Sequence, residues 1–389
     1  GGPASHGILL PLCTGMSVAM TLAAIRDARI EEDEAEAAAA GTTTAGNDGA
    51  LPPPTRDVVL WSRIDQKSCY KAILSAGLRC VVVPTKVERD TDEVVTDLDA
   101  VESALRTHGG RVLAVVTTAS CFAPRAPDSV DEVARICARE GVAHLINDAY
   151  GLQCGRTCKL INRACAVGRV DAVICSTDKN FLVPVGGAVV MSPSESVIQR
   201  VGKIYPGRAS SAPVLDLFIT LLSMGMDGYR SLLEERATYA EAFAKKFEEV
   251  AKKHGERALV CPRNTISFGI TLDKLEGGDD DDGDIGGPEE KTSLDASYFG
   301  SMLFTRCVSG TRVVPRSQTK KMGGDTFRGF GSSTEDFPHS YLTAACAIGM
   351  TRDEAEEFFS RLDRAFKDFG DKRKKEAKRR RKKREEAEA

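Results

Sequence analysis

The stretch "DAVICSTDKNFLVPVGGAVVMS", residues 171–192, sets one lysine, Lys179, between two short apolar runs rich in β-branched residues. The length and β-branching of "DAVICS" (171–176) and "GAVVMS" (187–192) predict buried strands rather than helices. A lysine where the chain leaves one buried strand and enters another is expected to be partly desolvated, which favours the neutral amine over the ammonium. A neutral amine is a nucleophile.

Similar runs recur upstream in "DVVLW" (57–61), "LRCVVV" (78–83), "RVLAVVTT" (111–118) and "VAHLIN" (142–147). Helical pieces fall between them at 66–76, 97–107, 129–140 and 157–167. This alternation predicts an α/β domain with a mostly parallel sheet covered on both faces. Ligands of such sheets sit beyond the carboxyl ends of the strands. Thr118, Asn147 and Lys179 all lie at or just past those ends, so they are expected to share one crevice.

The chain has 389 residues, 42% of them hydrophobic, enough for a large core and two domains. No apolar run is long enough to span a bilayer, and the first twelve residues lack the order of a secretory signal, so a cytoplasmic location is expected. The twelve cysteines are scattered rather than regularly paired and read as reduced thiols. Cys154, Cys158 and Cys165 lack zinc-ligand spacing, and the acidic loop lacks the alternation of a calcium site, so no metal is expected. His144 reads as a packed residue before a strand. Low-complexity segments at 31–55 and 276–290 read as insertions. From Met226, "MDGYRSLLEERATYAEAFAKKFEEVAKKHGE" has the spacing of a long amphipathic helix entering a smaller domain. The net charge of −3 hides an asymmetry, because residues 371–389 carry +6 and the remainder −9. Such a tail suits RNA binding, a nuclear signal or a solvated helix. The expected divisions are 1–230, 231–369 and a basic tail, 370–389.

Pyridoxal 5'-phosphate enzymes need a lysine of this kind, and the chain supplies their other requirements. "CTGMSVAMTLAAI" (13–25) offers a helix start for a phosphate, with Thr14 and Gly15 at the turn and Ser17 nearby. "INDAYG" (146–151) offers Asn147 or Asp148 to the pyridine nitrogen, and Ala149 is small enough to lie under a flat ring. Ser176 to Lys179 also fits the Ser-x-x-Lys signature of serine β-lactamases, but the Ser-Asp-Asn and Lys-Thr-Gly motifs of that family are absent.

Long strings, among them "TGMS", "RIDQKSCYKAILSAG", "TTASCFAPRAPD", "NDAYG", "DKNFLVPVGGA", "YPGRASSAPVLD", "GSMLFTRCVSGTRVVP" and "TFRGF", make the chain resemble the O-phosphoseryl-tRNA(Sec) selenium transferases. The resemblance implies a fold-type I pyridoxal phosphate transferase, similar to aspartate aminotransferase, with a smaller α+β C-terminal domain. It implies conversion of phosphoseryl-tRNA(Sec) to selenocysteinyl-tRNA(Sec) with selenophosphate, in a homo-oligomer expected to be a dimer of dimers. At matching positions, Lys179 would bind the cofactor and move protons, and Asn147 would face the pyridine nitrogen. Ala149 would pack on the ring, Gln66 and Lys67 would approach it from the other side, and Thr14 and Gly15 would hold its phosphate. Arg208 would grip an anionic substrate group, as guanidinium can with two parallel hydrogen bonds. Arg312 would read the discriminator end of the tRNA; an ion pair at a strand start is its structural alternative. The family's N-terminal segment, which includes a phosphate-gripping loop, is expected to be missing. Another enzyme of the same fold type, such as a cysteine desulfurase or a decarboxylase, and an inactive tRNA-binding subunit are the competing readings.

Overall fold

The computed structural model describes residues 3–39, 56–277, 294–316 and 318–388. From the amino terminus, β1 (His6–Leu10) leads into α1 (Thr14–Ala39), followed by β2 (Val58–Ser62), α2 (Lys67–Ser75) and β3 (Arg79–Val83). A hairpin of β4 (Thr85–Val87) and β5 (Val94–Thr96) precedes α3 (Leu98–His108), β6 (Val112–Thr118), α4 (Val130–Glu140), β7 (Ala143–Asn147), α5 (Gly155–Val167) and β8 (Ala172–Ser176). The short α6 (Thr177–Phe181) carries Lys179, and β9 (Ala188–Ser192) and α7 (Glu195–Lys203) come next.

Seven strands form one sheet in the order β1-β9-β8-β7-β6-β2-β3. Strands β3, β2, β6, β7 and β8 are mutually parallel, as the alternation predicts. Strand β9 runs antiparallel to both β8 and β1. The reason lies in the connection: a parallel return needs a crossover of a dozen or more residues, and the turn from Thr177 to Gly187 is shorter. All six predicted strands of the α/β part form within a residue of their expected bounds, whereas β1, a half-exposed strand, was not anticipated.

The pleat sends alternate side chains to opposite faces. Val59 and Trp61 pack with Leu22 of α1, Ile73 of α2 and Val201 of α7, while Val58 and Leu60 pack with Val101 of α3 and Val133 of α4. Burial on both faces explains why these strands read as continuous apolar runs.

The helix α8 (Ala212–Lys253) breaks at Gly225, whose φ of 66° and ψ of 176° suit only glycine. Past the break it buries Phe243 and Phe247 in a second core. That core is completed by β10 (Ser267–Thr271), α9 (Asp273–Gly277), α10 (Ala296–Thr305), β11 (Arg312–Val314), β14 (Tyr341–Ala345) and α11 (Arg352–Glu388), with β10-β14-β11 as an antiparallel sheet. The hairpin of β12 (Thr319–Met322) and β13 (Asp325–Arg328) reaches back to the large sheet, where the Phe327 ring lies 5.4 Å from that of Tyr70.

The expected divisions at 230/231 and 369/370 both fall inside helices, α8 and α11. The first insertion begins within α1, and its residues 40–55 lie outside the described residues, as do residues 278–290 of the acidic loop. Among the described residues no helix is long and apolar enough to cross a membrane, and no group of three or more metal-ligating side chains assembles. His144 lies within β7, fully buried between Thr117 Oγ1 at 2.8 Å and the Arg169 carbonyl at 3.1 Å.

Candidate active site

Strands β6, β7 and β8 end side by side at Thr118, Asn147 and Ser176. Strand β1 runs in the same direction as these, so α1 starts at the same edge of the sheet. The first turns of α1 and α2 meet there: a Cβ on Gly15 would come within 3.4 Å of Ser68 Cβ. The start of α2 is joined in turn to β7, because Asn147 donates from Nδ2 to Cys69 Sγ at 3.1 Å. Thr14 and Gly15, Gln66 and Lys67, and Asn147 therefore border one crevice.

Pleating separates the two candidates in "INDAYG". Asn147, the last residue of β7, reaches toward α2, and Ala149 lies in the turn that follows. Asp148 points to the opposite face, where Cys175 Sγ lies 3.8 Å from its Oδ2. Burial pushes the Asp148 carboxyl up to about 7. Burial also pushes the Cys69 thiol up to about 11, so at neutral pH it is protonated and accepts the amide hydrogen of Asn147.

The lysine turn is held by its backbone. Asn180 donates from Nδ2 to the carbonyls of Ser176 and Ala149 at 2.7 and 3.0 Å, and Gln153 donates to the Lys179 carbonyl at 3.0 Å. Tyr229 of α8 donates to the Asn180 carbonyl at 3.1 Å. Thr177 donates from Oγ1 to the Gly187 carbonyl at 2.9 Å, and a Cβ on Gly187 would sit 2.8 Å from that hydroxyl oxygen. Glycine at 187 is thus what lets β9 start beside the turn.

The side chain of Lys179 corrects one expectation. It is 48% exposed, with Nζ 2.9 Å from Asp178 Oδ2 and 3.2 Å from Ser176 Oγ. The side chain is therefore not enclosed between the two buried strands as expected, and Asp178, one residue earlier, supplies a carboxylate beside it.

Several buried polar atoms at this edge have no hydrogen-bond partner, including Ser17 Oγ, Thr118 Oγ1 and Asn147 Oδ1. Leaving such atoms unpaired is costly, and a polar ligand in the crevice relieves that cost. A pyridine ring carrying a phosphate fits these donors and acceptors: a free amide oxygen at the strand end and a hydroxyl in the first turn of a long helix.

The two arginines are placed differently. Arg312, on β11, stacks 4.8 Å over the Phe122 ring and donates weakly to the Asp65 carbonyl at 3.5 Å. Phe122 packs beside Tyr150, with ring centroids 5.4 Å apart, so Arg312 stands at the same edge as Ala149, and no carboxylate among the described residues pairs with it. Arg208 is exposed in the segment between α7 and α8 and makes no hydrogen bond or ion pair among the described residues. It is tied to the edge only indirectly: a Cβ on Gly187 would lie 3.3 Å from Pro213, five residues beyond it.

Sequence reasoning missed the residues that position others. Gln153 bridges the Lys179 carbonyl and the Ile348 amide, the latter at 2.9 Å. Asp65 accepts from the amides of Gly331 and Ser333 at 2.7 and 2.8 Å and pairs with Arg63 at 3.0 Å, tying the Gln66 turn to the C-terminal part. Asp65 lies inside the quoted string "RIDQKSC", but only its partners reveal its task.

Comparison with known proteins bears on the family and the fold. A relative from Dictyostelium discoideum, an O-phosphoseryl-tRNA(Sec) selenium transferase, is 40% identical over 93% of this chain and 71% of its own length. The Caenorhabditis elegans protein of the same name is 38% identical over 93% and 67%. The crystal structure of an archaeal O-phosphoseryl-tRNA(Sec) selenium transferase superposes with a TM-score of 0.73 at 25% identity, covering 92% of this chain and 70% of that one. Catharanthus roseus tryptophan decarboxylase, in complex with L-tryptophan, shares the fold at a TM-score of 0.60 and 17% identity, over 93% of this chain and 69% of that one. The family model for O-phosphoseryl-tRNA(Sec) selenium transferase matches residues 52–367, and the chain belongs to that family.

Proposed function

We propose that this chain converts O-phosphoseryl-tRNA(Sec) to selenocysteinyl-tRNA(Sec), with Lys179 as its proton-moving residue. The observation that carries the assignment of roles is the shared edge: Asn147 at the end of β7 with Ala149 two residues on, the starts of α1 and α2 beside them, and the Lys179 turn one strand away. Pyridoxal 5'-phosphate, the family's cofactor, supplies an aldehyde for amines and an electron sink for the carbanion at Cα. Thr14, Gly15 and Ser17 would take its phosphate at the α1 start, with Gln66 and Lys67 alongside. Asn147 would face the ring nitrogen as a neutral amide, and Ala149 leaves room for the ring.

Lys179 would take the α-proton of the phosphoseryl group and later return one. Between these transfers the Cβ–O bond breaks and phosphate leaves, selenium of selenophosphate bonds to Cβ, and water cleaves its Se–P bond to release a second phosphate. Asp178 and Ser176 hold the amine at the turn before substrate arrives. Arg208, exposed and unpaired, is available to stabilise the departing phosphate, and Arg312 to contact the tRNA end.

A homo-oligomer is supported by α8, which before its break exposes Leu215, Phe218 and Leu222 along one stripe. A second copy of the chain would cover them. A cytoplasmic location is supported by the cysteines, all twelve of which are free thiols.

The test is borohydride reduction of the cofactor-loaded protein followed by peptide mapping. The cofactor is expected on Lys179, and a label on another lysine overturns the assignment. With phosphoseryl-tRNA(Sec), Arg208→Ala should lower kcat about 100-fold or more. Arg312→Ala should weaken tRNA binding with cofactor content unchanged.

A further inference from the structure

A second cavity, of about 170 Å³, lies at the opposite edge of the sheet from Lys179. Its floor is Leu113 and Ala143, at the first residues of β6 and β7, and its walls come from α1, through Ala28 and Arg29, and from α7, through Val197 and Arg200. Arg56 and Arg169 complete it together with Glu32 and Asp171, so four arginines and two acidic residues surround one small, partly apolar space.

Three of the four are neutralised by the protein. Arg29 lies 2.8 Å from Glu32 and 3.2 Å from Asp33, and Arg200 lies 2.7 Å from Glu31. Arg169 pairs with Asp171 at 2.9 Å and donates to the Gly141 carbonyl at 3.2 Å. Arg56 makes no hydrogen bond or ion pair among the described residues, although it could extend into water. Burial, followed by the charges of Arg29 and Arg169 working against those of Asp33 and Glu32, leaves it below the usual guanidinium value.

We propose that this cavity binds a small phosphate-bearing anion, seated on Arg56 and flanked by Arg200 and Arg29. An unpaired guanidinium presents five donors in a fixed fork that matches a tetrahedral oxyanion. The apolar floor strengthens each contact by excluding water. At about 170 Å³ the cavity has room for several waters of about 30 Å³ each, so it admits a phosphate with part of its hydration. Inorganic phosphate, which the family's reaction releases, is a ligand at hand. The site is distinct from the cofactor crevice, and its occupancy does not depend on the roles assigned there.

The experiment is calorimetric titration of the cofactor-loaded protein with inorganic phosphate, with acetate as the second arm. Saturable phosphate binding is expected, weakened about ten-fold in Arg56→Ala. The Arg56→Ala comparison is made in the Arg208→Ala background, which removes phosphate held at the crevice and leaves this cavity as the site read. Equal affinity for acetate would show a carboxylate site and overturn the phosphate assignment. Should Arg56→Ala fail to fold, phenylglyoxal labelling of the unaltered protein reads the same site by peptide mapping. Phosphate should protect Arg56, and equal labelling of Arg56 with and without phosphate, or an unchanged affinity in Arg56→Ala, overturns the proposal.

Discussion

Asn147 Nδ2 donates to Cys69 Sγ at 3.1 Å, and through this one bond the end of β7 is fixed to the first turn of α2. The bond spends one of the amide's two N–H donors on the protein, and Oδ1 is left buried without a partner. An acceptor without a donor is what a protonated ring nitrogen requires. Asn147→Ala should therefore weaken pyridoxal phosphate binding about ten-fold or more. Cys69→Ala, which keeps the amide oxygen, should cost only a few-fold. Titrating each variant with the cofactor checks both, and equal losses would show that the bond matters only for packing.

Gln153 spans two parts of the molecule, donating to the Lys179 carbonyl and accepting from the Ile348 amide. It is 4% exposed, so Gln153→Leu leaves the buried Ile348 amide unpaired at a cost of about 1–3 kcal/mol, and the part-buried Lys179 carbonyl unpaired at a smaller one. Gln153→Glu keeps the acceptor and loses the donor, and should fall between. Urea unfolding ranks the three proteins. Because the lost donor steadies the lysine turn, Gln153→Leu should also slow borohydride labelling of Lys179 at saturating cofactor.

Much of this arrangement is legible in the sequence, and the limit has a physical cause. Strands β2, β6, β7 and β8 are covered on both faces, so nearly every position is apolar and the runs stand out. Strand β1 pairs only with β9 and is half exposed, so its five residues carry no such signal. At the site, residue types that do chemistry can be picked from strand ends by pattern. The exposure of Lys179 could not be read that way, because it depends on which way a short helix faces. Nor could the convergence of Arg29, Arg56, Arg169 and Arg200, which come from four separate stretches of chain and meet only when the sheet closes.

Two buried groups of β7 and its exit titrate in opposite senses. The Asp148 carboxyl rises from 3.8 to about 7, so between those values the folded state holds a proton the unfolded state has lost, and stability falls as pH rises. His144 drops from 6.5 to about 4 through burial, so over that range the unfolded state binds the extra proton and stability rises with pH. The two slopes largely offset each other from about pH 4 to 6.5. Asp148→Asn removes one of them. Its stability relative to the parent should be more favourable at pH 8 than at pH 4.5, by denaturant unfolding at each pH. A difference that is flat with pH would mean that the Asp148 carboxyl titrates normally.

Gly225 turns α8 so that Leu215, Phe218 and Leu222, at 51, 59 and 67% exposure, stay outside the second core while Phe243 and Phe247 enter it. The three are spaced three and four residues apart, which lines them up on one side of the helix. Burying a side chain of this size contributes about 1.5–3 kcal/mol, so a second copy seated on the stripe gains enough from two of them to shift a dissociation constant more than a hundred-fold. Phe218→Glu combined with Leu222→Glu replaces that gain with two carboxylates that must stay hydrated. Both side chains are solvent-facing in the single chain, so the fold should survive, and far-ultraviolet circular dichroism should match the parent. Sedimentation velocity over a range of concentrations should then show the variant as a smaller species than the parent. Identical size distributions would remove this stripe as the contact between copies.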